Sequence, residues 1–276
     1  MRAAYWEQVA ASGFSVPEDT PLDELTAELT TMLGSPDPRL REELAAETLA
    51  TWLGQGVYDE LLAGLADGMA AGLQVGLGED GTDTVFRRAQ SARLLGECLT
   101  RAAATGLAGP DATLRWGDRL VGWFVRERDL RDHVPGKGRA RALEHGAAAV
   151  AALAASPAMG ELELVAVLDV VGDRVTVPSP YLWDHCQADA VAAAVMTVLR
   201  RDRVETEVVE QWLDRLVGAA TTDGACEPTM PARNTETFLR ALHLQLALAP
   251  APPPARGDLL LLTMAALKRS NPTFLR

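Results

Sequence analysis

Cysteine is scarce in this chain and poorly placed for cross-linking: Cys98, Cys186 and Cys226 are three among 276 residues, odd in number, far apart and without a C-x-x-C pair. That pattern excludes a disulfide framework and a thiolate zinc site, and it fits a reducing cytoplasm. Long apolar runs are missing too. No uncharged stretch reaches the ~18 residues of a membrane span, and the opening residues Met1 to Gln8 carry a charge but no apolar run with a small-residue cleavage site, so neither membrane insertion nor a signal peptide is expected. Positive charge is also short, with 26 Lys and Arg against 38 Asp and Glu and a net charge of −12. Such a field repels DNA, RNA and anionic membranes at long range, although a local basic patch can still hold a small anion. Finally, no G-x-S-x-G or H-E-x-x-H motif occurs, so hydrolase chemistry has no support from motifs.

What fills the chain is helix. Apolar residues recur at three- and four-residue spacing almost throughout, punctuated by Gly, Pro, Asp and Ser, which predicts about twelve helices and no convincing strand. Thr20 and Pro21 open one helix, with Glu24 suited to its positive end. Gly34 is expected to stop that helix in a left-handed conformation, Asp37 with Pro38 to start the next, and Asn234 or Thr235 to start one near the C-terminus. The Pro-rich stretch 247–255 reads as a stiff connector to a last helix. A weak repeat runs through these helices. Copies starting at Asp37, Asp83 and Glu236 share an acid, an apolar residue at +3, Arg at +4 and Leu at +12, with looser echoes from Lys137 and Gln187. Starts spaced by roughly 50 residues, two helices apiece, predict an all-α fold of the α-solenoid type, HEAT- or armadillo-like, with about five antiparallel helix pairs plus terminal helices in a single domain over residues 1–276. The six tryptophans, scattered along the chain, read as wedges between helices and not as a stacking platform.

Gly64, Gly68, Gly72 and Gly76 fall four apart and predict a smooth helix face used for close packing, or one leaving room for a ligand. The acidic turn that follows, with Glu79, Asp80 and Asp83, lacks the calcium-loop spacing and reads as a turn with Asp83 as helix cap. Of the paired arginines, Arg87 matches the repeat position and is expected to bond an acid or carbonyl of the neighbouring repeat, leaving Arg88 to reach a groove.

The segment from Glu127 to His145, E-R-D-L-R-D-H-V-P-G-K-G-R-A-R-A-L-E-H, stands apart. Between Arg126 and Arg141 it holds Arg126, Arg128, Arg131, Lys137, Arg139 and Arg141 against Glu127, Asp129 and Asp132. Backbone N–H groups at a helix start, with Lys and Arg beside them, can cradle an anion; G-K-G-R is not a Walker loop. A solvated loop with local pairs such as Asp129 with Arg131 is the plainer alternative. Arg139 and Arg141 diverge on a helix unless the helix begins after Arg139. Candidate ligand-binding residues are Arg88, Arg128, Arg131, His133, Lys137, Arg141 and His145. If there is catalysis, His145 with Asp132 or Glu144 is the candidate acid–base group. His133, His145, His185 and His243 offer no His-x-x-x-His pair, so no metal or other cofactor is expected.

Several runs resemble a bacterial all-helical family described only as a domain of unknown function (family 2785): P-L-D-E-L-T-A-E-L-T-T-M-L-G-S-P-D-P, G-L-A-D-G-M-A-A-G-L-Q-V-G-L-G-E, D-T-V-F-R-R, R-E-R-D-L-R-D-H-V-P-G-K-G and E-H-G-A-A-A-V-A-A-L-A-A-S-P, continuing to L-R-A-L-H-L-Q-L-A-L. The resemblance implies an all-helical protein and no established activity. It also marks this chain as divergent: relatives carry Trp, His and Asp where Arg139, Arg141 and Ala148 stand, with His145 retained, and Ser-Phe where Ala89 and Gln90 stand. The combined expectation is a non-catalytic binding or scaffold protein whose basic groove takes a peptide partner or small anion. The alternatives are a divergent enzyme using His145, and, third, a nucleic-acid binder.

Overall fold

Helix is what the three-and-four spacing builds. The computed structural model describes residues 3–220 and 229–275, leaving Cys226 outside the described residues. Within them run α1 (Ala3–Ala11), α2 (Leu22–Met32), α3 (Glu47–Gln55), α4 (Leu62–Gly72), α5 (Thr84–Thr105), α6 (Pro110–Arg126), α7 (Ala142–Ala155), α8 (Glu161–Thr176), α9 (Gln187–Arg200), α10 (Thr206–Ala220), α11 (Met230–Leu248) and α12 (Arg256–Ser270). A π-helical segment, Arg39–Ala46, leads directly into α3. The protein is all-α apart from one small ribbon, which the helix spacing did not predict: β1 (His133–Val134) pairs antiparallel with β2 (Gly138–Arg139). Its turn is chemically determined. Pro135 holds the second corner, Gly136 takes φ +73° at the third, and Lys137 N–H closes on the Val134 carbonyl at 2.9 Å, the arrangement of a Pro-Gly turn.

Two compact units divide the chain inside α7, Met1–Ala152 and Leu153–Arg276. In the first, the π-segment and α3 lie against α5, while α4 lies against α6, with further packing of α4 and α6 on α5. In the second, α9 and α11 lie side by side and α10 joins α8 to α12. In each unit, then, helices two apart in the chain lie beside each other. All six tryptophans are buried at 3% exposure or less, as wedges. Trp212 donates to the Leu168 carbonyl at 2.7 Å and Trp52 to that of Phe14 at 2.7 Å, which satisfies the indole N–H that burial would otherwise strand.

Three local expectations change. Gly34 is not left-handed; its lack of a side chain admits Arg87, whose Cβ would stand 3.4 Å from a Cβ at that position. Asn234 and Thr235 do not open a helix, because α11 already starts at Met230, where the Thr229 hydroxyl caps Ala232 N–H at 3.3 Å. Asn234 lies buried inside α11, accepting from Trp183 N–H and donating to the Tyr181 carbonyl, both at 2.9 Å. The glycine stripe is not one packed face either. Gly76 falls beyond α4, where Thr84 and Glu79 crowd it, Gly64 and Gly68 face open space, and within the helix Gly72 alone of the stripe is pressed, against Ser91 and Arg87.

Gly146 makes a similarly close helix contact, since a Cβ there would meet Phe124 Cδ2 at 2.7 Å and Trp123 Cζ3 at 2.9 Å. Gly146→Ala is expected to destabilise the fold by about 1–3 kcal/mol through overpacking, whereas Gly68→Ala is expected to stabilise it by about 0.8–1 kcal/mol. Urea unfolding midpoints at unchanged m-value measure both.

Candidate functional site

The segment that stands out in sequence is held by a buried ion pair. Helix α6 gives way at Glu127 to extended backbone, φ −61° and ψ 122°, and this turns the Glu127 carboxylate inward at 2% exposure. There it accepts from Arg88 Nε at 2.5 Å, Arg88 Nη2 at 2.9 Å, Trp123 Nε1 at 2.8 Å and Asp129 N–H at 3.0 Å. Arg88, with no exposed surface, spends its remaining donors on the Val75 and Gly76 carbonyls, both at 2.9 Å, and on Thr84 Oγ1 at 2.8 Å. The expectation that Arg88 reaches a groove is therefore corrected. One step of about 100° on α5 separates two adjacent residues, and that step puts Arg88 inside. Arg87, as the repeat predicts, bonds a backbone carbonyl, that of Thr30.

Other members of the basic segment are likewise paired. Asp129, fully buried, receives Arg131 Nε at 2.8 Å and Nη2 at 2.6 Å together with Gly81 N–H at 3.0 Å, and Arg131 reaches on to the Thr82 carbonyl at 2.7 Å. The local Asp129–Arg131 pair is thus present, and it also ties the segment to the acidic turn before α5. Lys137 Nζ stands 2.7 Å from both oxygens of Asp83. Asp83 makes no side-chain cap bond on α5, so its carboxylate serves the lysine. Glu79 accepts from Thr82 and Thr84, both at 2.8 Å, and those hydroxyls hold its carboxyl below the usual range. Arg139, on β2, bonds Asp132 at 2.6 Å and Glu144 at 2.6 Å; these carboxylates push its pKa up. Helix α7 does begin after Arg139, but Arg139 and Arg141 form no shared clamp, because Arg139 is committed to its acids. Among the described residues, Arg126, Arg128, His133 and Arg141 are the basic groups of this region without a side-chain hydrogen bond or ion pair. Arg128 and His133 are exposed; Arg141, with φ +58° just before α7, is only part-exposed.

His145 does not meet either of its candidate acid partners. Its Nδ1 lies 3.2 Å from the Ala89 carbonyl on α5, which fixes that nitrogen as the donor and ties α7 to α5. The ring is part-exposed, yet desolvation by the groups packed around it pushes its pKa down to about 3, with the charges of Arg93, Arg141 and Arg139 acting in the same direction. Asp132 and Glu144 are claimed by Arg139 instead. Helix phase separates Glu144 from its neighbour His145, and the ribbon register puts Asp132 beside β2. Sequence reasoning placed Arg41 in the repeat but not at the site. Fully buried, it stacks on Phe86 at 4.0 Å and bonds the Lys137 carbonyl at 3.0 Å, holding the ribbon from below. It also passed over Arg115 and Arg119 on α6, whose signal was plain helical spacing with Arg126. No cluster of three or more His, Cys, Asp or Glu able to hold a metal occurs among the described residues.

A family model described as a protein of unknown function (DUF2785) matches residues 73–244, more than half of the chain. That span begins after α4 and is shorter than the likeness read from Pro21 onward. No curated protein and no solved structure matches the chain.

Arg88→Leu leaves Glu127 charged in the interior and is expected to cost about 3–5 kcal/mol. Adding Glu127→Gln, which removes that charge while keeping an acceptor for Trp123, is expected to cost less than the two single changes together; a double-mutant cycle by denaturant unfolding gives the coupling. For His145 the folded-state pKa lies below the ordinary 6.5, so the unfolded chain binds the extra proton. Stability is thus fully retained above pH 6.5 and falls as pH drops from there toward 3. His145→Gln is expected to remove about one proton from the uptake on unfolding near pH 5, read from the pH dependence of the unfolding free energy.

Proposed function

The chain belongs to the DUF2785 family, and we propose that it is a non-catalytic binding or scaffold protein whose helix pairs stack as a HEAT-like solenoid. The observation that carries this reading is the commitment of the acid–base groups. His145 is neutral at ordinary pH and holds a backbone carbonyl, while Asp132 and Glu144 are each bonded to Arg139. Buried pairs arranged in this way position a surface, and among the described residues no carboxylate is hydrogen-bonded to His145 to orient it as a base. The surface so positioned carries Arg128 and His133, both exposed and without a side-chain hydrogen bond or ion pair among the described residues, on a segment braced by Arg88, Arg131, Lys137 and Arg41. Its partner in this proposal is a peptide or a small anion. No described helix is long and apolar enough to cross a membrane, and the scarce cysteines put the proposed setting in a reducing cytoplasm.

The test uses Arg128→Glu with His133→Glu, changes that leave every ion pair described above intact. In a pull-down from the native host, saturable capture of a partner is expected with the wild-type protein and loss of at least tenfold with the double variant at unchanged melting temperature. Equal recovery of all partners by both proteins removes this segment as the binding surface.

A further inference from the structure

Helix α12 is apolar on both sides. Between Asp258 and Lys268 it runs L-L-L-L-T-M-A-A-L without a charge. The inner side is accounted for by Leu259, Thr263, Ala266 and Leu267, buried where α12 packs on α10 and α11. The outer side has no such cover. Leu261 is 60% exposed and Met264 42%, with Ala265 exposed beside them. A surface helix turns polar residues outward, whereas one apolar all round belongs in an interior. Helix α11 widens the patch. His243 Nδ1 stands 2.9 Å from Thr263 Oγ1, and Asn271 Nδ2 donates to Glu236 Oε1 at 2.6 Å. The two helices therefore run antiparallel, and the exposed Leu244 lies level with the middle of α12.

The two ends of this apolar run carry opposite charges. Asp258 and Lys268 are exposed and make no ion pair or side-chain hydrogen bond among the described residues; Arg269, next in the chain, is taken by Asp214. At 3.6 residues per turn, Asp258, Leu261, Ala265 and Lys268 fall within an arc of about 80° and so share the outer side. They are also placed symmetrically. Asp258 and Lys268 each stand five residues from Thr263, and Leu261 and Ala265 each stand two from it.

We propose that α12 pairs antiparallel with α12 of a second copy, making a two-fold dimer of this chain. A two-fold axis at residue 263 reverses the helix upon itself, so that Asp258 meets the partner's Lys268 at each end and Leu261 meets the partner's Ala265 between them. One patch meeting itself is the requirement of a closed two-fold interface. Within a single helix the two charges lie about 15 Å apart at 1.5 Å per residue and cannot pair. A parallel pairing would set aspartate on aspartate and lysine on lysine. The charge pattern thus selects both the occupant and its direction. One helix face with flanking Leu244 makes a small interface, so the dimer is weak, with a Kd on the order of tens of micromolar. The face belongs to the second unit, Leu153–Arg276, and involves neither Arg128 nor His133.

Sedimentation velocity of the full chain from about 1 to about 300 µM brackets that affinity. The mass is expected to rise from 29.5 kDa toward twice that value. Leu261→Glu is expected to weaken dimerisation about tenfold or more, with the melting temperature at the lowest concentration unchanged. Asp258→Lys and Lys268→Asp are each expected to weaken it about fivefold by placing like charges together. An equimolar mixture of those two variants is expected to recover the dimer, because each end of the mixed pair again holds opposite charges. Altered charge at the ends of a single helix changes that helix's own stability and produces no recovery on mixing. A wild-type chain still monomeric at the highest concentration, a Leu261→Glu variant that dimerises as well as wild type, or a mixture no better associated than its components overturns the proposal.

Discussion

The Arg88–Glu127 pair is the constraint on which the rest of the first unit depends. Two charges without solvent exposure are tolerable only when every donor and acceptor is used, because desolvating them opposes their attraction. Here Glu127 collects four hydrogen bonds and Arg88 distributes the remainder to the carbonyls of Val75 and Gly76 and to Thr84. The pair joins α5, the end of α6 and the chain leaving α4. It sets where α6 must stop and the direction in which the next residues leave. The ribbon, its Pro-Gly turn and the start of α7 then follow as a braced excursion.

That excursion shows how local charge counting misleads. From Arg126 to Arg141 the sequence is locally basic, yet Arg131, Lys137 and Arg139 are matched in space to Asp129, Asp83, Asp132 and Glu144. One of these acids is over fifty residues from its lysine. A linear window cannot see such a partner, whereas the folded chain sets the lysine against both oxygens of its carboxylate. The converse holds on α6, where Arg115, Arg119 and Arg126 make no ion pair among the described residues although Asp111 and Asp118 lie on the same helix.

Fold and site were legible to different depths. Helices were readable because burial repeats at a period the sequence displays directly. The x-Pro-Gly-x turn was equally open, since its backbone angles belong to those residue types, although two-residue strands carry no periodic signal. The partition of Arg87 and Arg88 was not readable: both are arginines on one helix, and which faces inward depends on a phase set by Phe86, Gly72 and Glu127 together. Resemblance to the family gave the helical class correctly and could give no activity. Arg115, Arg119 and Arg126 were readable from spacing alone, but attention to local charge density passed over them.

The exposed glycines of α4 have a consequence for motion. Gly64 and Gly68 bury nothing and contact nothing where a side chain would be, so each weakens the helix by about 0.8–1 kcal/mol without a packing return. Helix α6 opposite starts with proline and buries Trp116, Leu120, Trp123 and Phe124. The two helices therefore differ in local stability. Amide hydrogens along α4 are expected to exchange through local opening at lower free energy than those of α6.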